Sequence, residues 1–170
     1  MCVDYTNLNK VCPKYPYAHP NIDHLVENSS EYQYLSFMDA YSGYNQIHIY
    51  LPDQDKTIFI TPKAAYCYTI MPFGLKNARA TYHRMMNNAF GDRIAKYMKV
   101  YVDDMIAKSL STKDHVSILE AIFRRLHTFN MCLNPEKCTF GVEAGKFLGF
   151  LLTCRGIEAN PTKCLAVVDM

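Results

Sequence analysis

Three aspartates are the residues of this sequence best suited to chemistry. Asp103 and Asp104 stand side by side between the apolar runs 98–102 and 105–107, and Asp39 closes an apolar run at 34–39. An adjacent Asp pair alone also fits a solvated turn. Here the flanks are apolar, which anchors the turn in a core. The turn also lacks Gly and Asn, although two-residue hairpins favour them for positive φ. A turn without its preferred residues implies that the carboxylates are needed there. Asp39 reads either as a strand-end turn residue or as the partner of this pair. If the strand ending in Asp39 neighbours the 99–109 hairpin, the three carboxylates converge. Like charges so close raise each other's pKa unless a cation intervenes. Hard oxygen donors favour Mg²⁺, which keeps waters and accepts substrate phosphates. Two such ions activate a hydroxyl and stabilise a leaving pyrophosphate.

The elements that must position these groups follow from periodicity. Alternation over 34–39 gives a strand with Leu35, Phe37 and Asp39 on one face, followed by a turn at Ser42-Gly43. Pro13, Pro16 and Pro20 make an extended connector before a short helix over 21–27. The runs 46–50, 57–61 and 66–70 are β-rich and suggest an antiparallel set. Ala78, Tyr82, Met85, Met86, Ala89 and Phe90 fall at helical spacing, with Asn77 as N-cap and Gly91 as C′ residue. Residues 99–109 read as two short strands around Asp103-Asp104. Val116, Leu119, Ile122, Phe123, Leu126 and Phe129 form a second helical stripe, capped by Ser111 or Thr112 and ended before Asn134-Pro135. A last β run covers 146–152 with Gly149 inside it. Short connections between mixed elements argue for an α+β fold with antiparallel strands.

The chain has 170 residues, 49% hydrophobic and 20% charged, which fits one globular domain and excludes a disordered tail. No apolar run approaches a membrane span, and the first residues lack the pattern of a signal peptide. The seven cysteines are odd in number and show no C-x-x-C pair, so reduced and mostly buried thiols in an intracellular protein are expected. The scattered histidines offer no His/Cys metal site. The net charge of +2 hides an asymmetry: residues 71–99 hold six Lys or Arg against one acid. A phosphate backbone is the natural partner of such a segment.

Three stretches occur in a telling order. They are Phe37-Met38-Asp39-Ala40-Tyr41-Ser42-Gly43-Tyr44-Asn45-Gln46, Met71-Pro72-Phe73-Gly74-Leu75-Lys76-Asn77-Ala78, and Tyr101-Val102-Asp103-Asp104. They resemble the A, B and C motifs of reverse transcriptases, in the wording of Ty3/gypsy-type LTR retrotransposon polyproteins of plant-like elements. Cys2-Val3-Asp4-Tyr5 with Leu8-Asn9-Lys10, Asn134-Pro135-Glu136-Lys137-Cys138, Phe140-Gly141 and Phe147-Leu148-Gly149-Phe150 extend the resemblance over essentially the whole chain.

That resemblance implies an RNA-directed DNA polymerase on a right-hand fold. Residues 1–170 would be one reverse transcriptase domain: partial fingers and a palm of antiparallel sheet backed by helices, ending near the start of the thumb. Asp39, Asp103 and Asp104 map onto the catalytic, metal-binding triad for two Mg²⁺ ions, with Mn²⁺ as a substitute. Ala40, Tyr44, Phe73 and Gly74 map onto the dNTP site, with Tyr44 beneath the sugar as a gate against a 2′-hydroxyl. Lys76, Tyr101, Phe147, Leu148 and Gly149 map near template and primer, and a buried strand accounts equally for the 147–150 run. Lys137 maps near a general acid for pyrophosphate, or is a surface lysine after a turn. Arg79 fits a solvated helix start better than a phosphate contact. The implied partners are an RNA or DNA template, a DNA primer and dNTP. The full element would add thumb, ribonuclease H and integrase regions, in the cytoplasm within a virus-like particle or in the nucleus.

Departures from the family wording include Ala64 in place of Gly in a turn, Arg79 in place of Pro or Gly, and Ala18-His19. If the turn at Ala64 needs positive φ, Ala costs on the order of 1 kcal/mol. The family's triphosphate-binding arginine would precede residue 1. A second expectation is therefore a non-catalytic truncated remnant with at most weak nucleic-acid binding. A phosphohydrolase built on the Asp cluster is a third, and it lacks an identifiable nucleophile or base.

Overall fold

The computed structural model describes residues 3–17 and 20–158, apart from the side chains of residues 92–95. In chain order the elements are α1 (Thr6–Val11), α2 (Ile22–Glu27), β1 (Tyr34–Asp39), α3 (Leu51–Gln54), β2 (Phe59–Ile60), β3 (Ala65–Tyr66), α4 (Ala78–Ala95), β4 (Met98–Tyr101), β5 (Asp104–Ser109), α5 (Thr112–Thr128), β6 (Thr139–Val142), β7 (Ala144–Phe147), β8 (Phe150–Thr153) and β9 (Gly156–Glu158). They fall into two compact units. One draws on residues 1–19 and 42–86, the other on 20–41 and 87–170.

The second unit is built on a four-stranded antiparallel sheet in the order β4-β5-β1-β6. Strand β1 has the expected bounds, and its register pairs Leu35 with Lys108, Phe37 with Ile106 and Asp39 with Asp104. Because strand side chains alternate, those six residues share one face. Leu35 and Ile106 are fully buried there with Leu25, Val26, Phe147 and Leu152. Ser36 and Ala107 form one of the intervening rungs, and helix α5 packs against β5. His115 of α5 bridges Ser36 Oγ at 2.7 Å and Ser109 Oγ at 2.9 Å. Burial lowers the His115 pKa and favours the neutral ring, in which one nitrogen donates to a hydroxyl and the other accepts from one.

Helix α5 begins as expected, with Ser111 accepting from the Asp114 amide and donating to the Asp114 carboxylate. Its apolar stripe is wider than the face it buries. Ile122 and Leu126 are buried, whereas Val116, Phe123 and Phe129 are exposed. The span assigned to α4 reaches residue 95, but its first helical piece ends at Gly91 as expected, where the backbone leaves the helix at φ +54°. The expected strand over 146–152 is a hairpin. Leu148 and Gly149 both have positive φ, the signature of a tight two-residue turn joining β7 to β8.

Lys108 is 3% exposed, with its ammonium 4.2 Å from the centre of the Tyr32 ring. Burial first, and the Lys99 charge second, push its pKa down to about 8 from the usual 10.5. Below pH 8 both folded and unfolded chains hold the proton, and the fold carries the full penalty of a buried cation. Between about pH 8 and 10.5 only the unfolded chain keeps it, so stability rises with pH across that window. The shift corresponds to about 3 kcal/mol, partly offset by about 1 kcal/mol from the aromatic face. Lys108→Met is expected to stabilise the chain by about 2 kcal/mol at pH 7. Denaturant melts at pH 7 and pH 10 check this: the gain must shrink at the higher pH.

In the first unit the β-rich runs form less sheet than expected. Among the described residues only β2 and β3 pair there, and residues 46–50 contribute a single bridge between His48 and Ile70. Pro52 in the first turn of α3 redirects that segment into a helix. Ala64 has no positive φ. Its carbonyl accepts from the Thr61 amide and its amide donates to Thr61 Oγ1, so the departure from Gly carries no strain there. Ala18 and His19 lie outside the described residues, as do Cys2 and Cys164. None of the five described cysteines is buried, against expectation: Cys67, Cys132 and Cys154 are exposed, and Cys12 and Cys138 half-buried.

Candidate active site

The second unit brings the three aspartates together. Asp39 ends β1, Asp104 opens β5, and the two are cross-strand partners. The turn between β4 and β5 is Val102-Asp103, one residue earlier than the sequence suggested. The positive φ falls on Val102, at +54°. A β-branched residue there is strained, so the missing turn residue is at Val102 and not at either aspartate. The Ala40 amide donates to the Asp103 carbonyl at 3.0 Å and fixes the turn against the end of β1.

A second segment holds Asp39 from its other side. Ala40 bridges to Leu133, Tyr41 N donates to Cys132 O at 3.0 Å, and Asn134 N donates to Asp39 O at 2.8 Å. The Asn134 side chain then accepts from the Glu136 amide and caps a single 3₁₀ turn, Pro135–Lys137. That turn delivers Lys137 Nζ to 3.5 Å from Asp39 Oδ2. The Lys137 side chain is 63% exposed and the Asp39 side chain 17%, so the pair sits at the edge of the site.

Asp103 is the most constrained of the three. Its Oδ1 is buried and has no hydrogen-bond partner. Burial first, then the charges of Asp39 and Asp104, push its carboxyl above the usual range, with Lys137 pulling the other way. Asp104 is shifted upward by desolvation and then by Asp39, again against Lys137, although the residue reaches solvent. Among the described residues, no three acid, His or Cys side chains already close on one point. The three carboxylates share a corner of the sheet and hold apart. The donors are hard oxygens, one of them buried and unpartnered. That is an arrangement a divalent cation satisfies and an apolar ligand does not. A cavity of about 240 Å³ opens beside them, lined by Asp39, Asp104, Lys137, Lys146 and apolar neighbours. Lys146, the residue before Phe147, was not singled out from sequence; an isolated surface lysine carries no local signal.

The remaining expected residues divide between the units. Tyr101 pairs with Asp104 at the hairpin end and packs on the core, as does Leu148. Phe147 is a buried core residue, which favours its strand role, and Leu148-Gly149 forms the hairpin turn. In the first unit Tyr44 lies on a 3₁₀ turn (Gly43–Gln46) entered through Ser42 at φ +49°. Its ring meets Phe73 at 5.3 Å and Tyr82 at 5.5 Å, both edge-on. Phe73 is 59% exposed, and Gly74 has φ +96°. A Cβ on Gly74 would meet only Tyr5, at 3.5 Å, so backbone conformation and not crowding within the protein requires glycine. The Lys76 ammonium donates to the carbonyls of Asn9 and Cys12 and does not point free into solvent. The Asn77 side chain engages residues 12–15 instead of capping α4. Arg79 does stand at a helix start, as the second residue of α4, but it is half-buried instead of fully solvated.

Comparison with known proteins supplies a context for this geometry. Residues 1–152 match the family model described as "Reverse transcriptase (RNA-dependent DNA polymerase)". The chain is 36% identical over 167 residues to the retrovirus-related Pol polyprotein from transposon 297 of Drosophila melanogaster, covering 98% of this chain and 16% of that protein. It is 30% identical over 169 residues to the Pol polyprotein from transposon gypsy of the same fly, covering 99% of this chain and again 16% of the relative. The chain thus spans about a sixth of the length of these relatives. Among solved structures, the foamy viral protease-reverse transcriptase in complex with dsDNA superposes with a TM-score of 0.90 at 23% identity, covering 100% of this chain and 35% of that one. The same enzyme with an RNA/DNA hybrid gives 0.88 at 22% identity, over 98% of this chain and 22% of that one. These likenesses show the fold: the α+β palm with part of the fingers.

Proposed function

Since this chain belongs to the reverse transcriptase (RNA-dependent DNA polymerase) family, we propose that it transfers a nucleotidyl group from a dNTP to the 3′-hydroxyl of a primer paired with an RNA or DNA template. The observation that carries this reading is the placing of Asp39, Asp103 and Asp104 at the adjoining ends of β1 and the β4–β5 hairpin, with one carboxylate oxygen buried and unpartnered. Asp39 and Asp103 would hold two Mg²⁺ ions, or Mn²⁺ in their place, with Asp104 in support. Bound there, such ions lower the pKa of the attacking hydroxyl and neutralise the leaving pyrophosphate.

The chain's own groups do the rest. The Asp103 carbonyl and the Asp39 backbone are pinned by Ala40 and Asn134, which keeps the carboxylates from separating under their mutual repulsion. Lys137 Nζ lies 3.5 Å from Asp39 Oδ2 and would be the general acid for the leaving pyrophosphate. The excess of Lys and Arg over acids in residues 71–99 favours a phosphate backbone as partner, although the Lys76 ammonium itself is taken up by the Asn9 and Cys12 carbonyls. The second unit, with the three aspartates, would serve as palm, and the first, with Tyr44, Phe73 and Gly74, would belong to the finger portion. The RNA/DNA hybrid and the duplex DNA named for the foamy viral complexes are the partner classes this reading expects.

Primer extension by the 170-residue chain tests the reading, with Mg²⁺, four dNTPs and a labelled primer on RNA and on DNA templates. Elongation on both supports it. A chain that binds the hybrid but never elongates the primer, with Mg²⁺ or Mn²⁺, overturns it.

A further inference from the structure

The loop Phe73-Gly74 is gripped from behind by a residue far away in sequence. Asn9 Nδ2 donates to the Gly74 carbonyl at 2.8 Å, and Asn9 Oδ1 accepts from the Lys76 amide at 2.8 Å. One carboxamide thus satisfies a carbonyl and an amide on either side of Leu75, as a neighbouring strand would. The Lys76 ammonium closes back on the Asn9 carbonyl at 3.1 Å and on Cys12 O at 2.9 Å. Asn77 makes the reciprocal contact, donating to Pro13 O at 2.8 Å and accepting from Tyr15 N at 3.0 Å. The two asparagines form a double amide latch between residues 9–15 and residues 74–77.

The halves of the latch do different things. Asn77 fastens the extended connector at Pro13 and Tyr15 and makes no bond to Gly74. Asn9 acts on the backbone of Gly74 itself, whose φ of +96° is one of the many conformations open to glycine, so the Asn9 bonds select it from that wider set. The exposed Phe73 ring stands against Tyr44. Any rotation of the Gly74 peptide therefore moves the ring that walls the proposed sugar and base pocket.

We infer that Asn9 is a positioning residue for nucleotide binding, fixing the Phe73-Gly74 loop through the Gly74 carbonyl and the Lys76 amide. This rests on the polymerase reading above. Asp at this position keeps the acceptor for Lys76 but sets a carboxylate against the Gly74 carbonyl; Ala removes both bonds.

The test is steady-state primer extension by the full chain, wild type against Asn9→Ala, Asn9→Asp and Asn77→Ala, with thermal melts of each. A loop loosened by a fraction of an ångström raises KM for dNTP roughly tenfold. That rise is expected in both Asn9 variants, with kcat changed less than twofold and primer–template affinity unchanged. Asn77→Ala is expected to lower Tm comparably while leaving KM for dNTP where it was. Equal KM in Asn9→Ala and wild type overturns the inference and leaves the polymerase reading intact. So does a KM rise of the same size in Asn77→Ala, because a general loss of structure then explains both. Absence of extension by the wild-type chain overturns the polymerase reading itself, and the inference with it.

Discussion

Asp103→Asn is expected to abolish primer extension, by at least roughly a thousandfold, while leaving the fold as stable as before or more so. The two halves of this expectation have the same cause. Asp103 carries a buried carboxylate oxygen with no hydrogen-bond partner, and its charge is opposed by burial and by Asp39 and Asp104. In a chain selected for stability alone, that arrangement is a defect. Asparagine is isosteric and removes the charge, so the repulsion among the three side chains falls and Tm holds or rises. The same exchange removes the anionic oxygen that a divalent ion needs, so chemistry stops. A variant with lower Tm and proportionately lower activity would point to an ordinary structural aspartate. Retained extension at wild-type rates would remove Asp103 from the site altogether. Asp104→Asn is expected to be milder, because Asp104 reaches solvent and its partner across the sheet, Asp39, remains to bind cation.

The strained residue beside it belongs to the same logic. Val102 takes a positive φ in a two-residue turn where glycine is free to do so without a clash. The Ala40 amide bonded to the Asp103 carbonyl shows what holds the turn there. A left-handed valine keeps the turn stiff, and stiffness at that point fixes where the Asp103 carboxylate is presented.

How much of this was legible in the sequence depends on the range of the interaction. Strand β1 was readable to the residue because period-two alternation is local and ends at a charged residue that cannot continue a buried face. The start of α5 was readable because Ser111 and Asp114 cap each other within one turn. The convergence of the carboxylates was a conditional statement, since nothing local says that β1 pairs with β5 in the register that sets Asp39 against Asp104. The hairpin at Leu148-Gly149 was hidden by its composition. An unbroken apolar run looks like one strand, and a leucine at φ +51° gives no warning. Residues 46–50 have β composition but lie beside a proline that starts a helix. The exposed cysteines were misread because the residue type is usually buried. The role of Asn9 was beyond reach: the Leu8-Asn9-Lys10 stretch marks the residue, but its partners lie 65 and 67 positions away.

Tyr44→Ala is expected to lower discrimination against ribonucleotides by roughly a hundredfold, whereas Tyr44→Phe leaves it nearly unchanged. The selectivity at issue is steric: a ring beneath the sugar leaves no room for a 2′-hydroxyl, and the phenol oxygen is not part of that wall. The geometry gives this gate a frame. Tyr44 is held on its 3₁₀ turn edge-on to both Phe73 and the buried Tyr82, so it is not a freely rotating surface ring. A wall excludes a single oxygen atom only if it cannot swing aside, and two T-shaped contacts supply that rigidity. Alanine therefore acts twice, removing the wall and freeing Phe73 to move. The consequence separates Tyr44 from a core tyrosine. Loss of packing alone would weaken use of dNTP and rNTP equally and lower Tm. Loss of a gate raises kcat/KM for rNTP while that for dNTP stays level or falls. Competition between each dNTP and its ribonucleotide in primer extension, on wild type, Tyr44→Phe and Tyr44→Ala, measures the ratio directly. A ratio unchanged in Tyr44→Ala, in a chain that still extends primers, would mean that sugar selection lies elsewhere in the first unit.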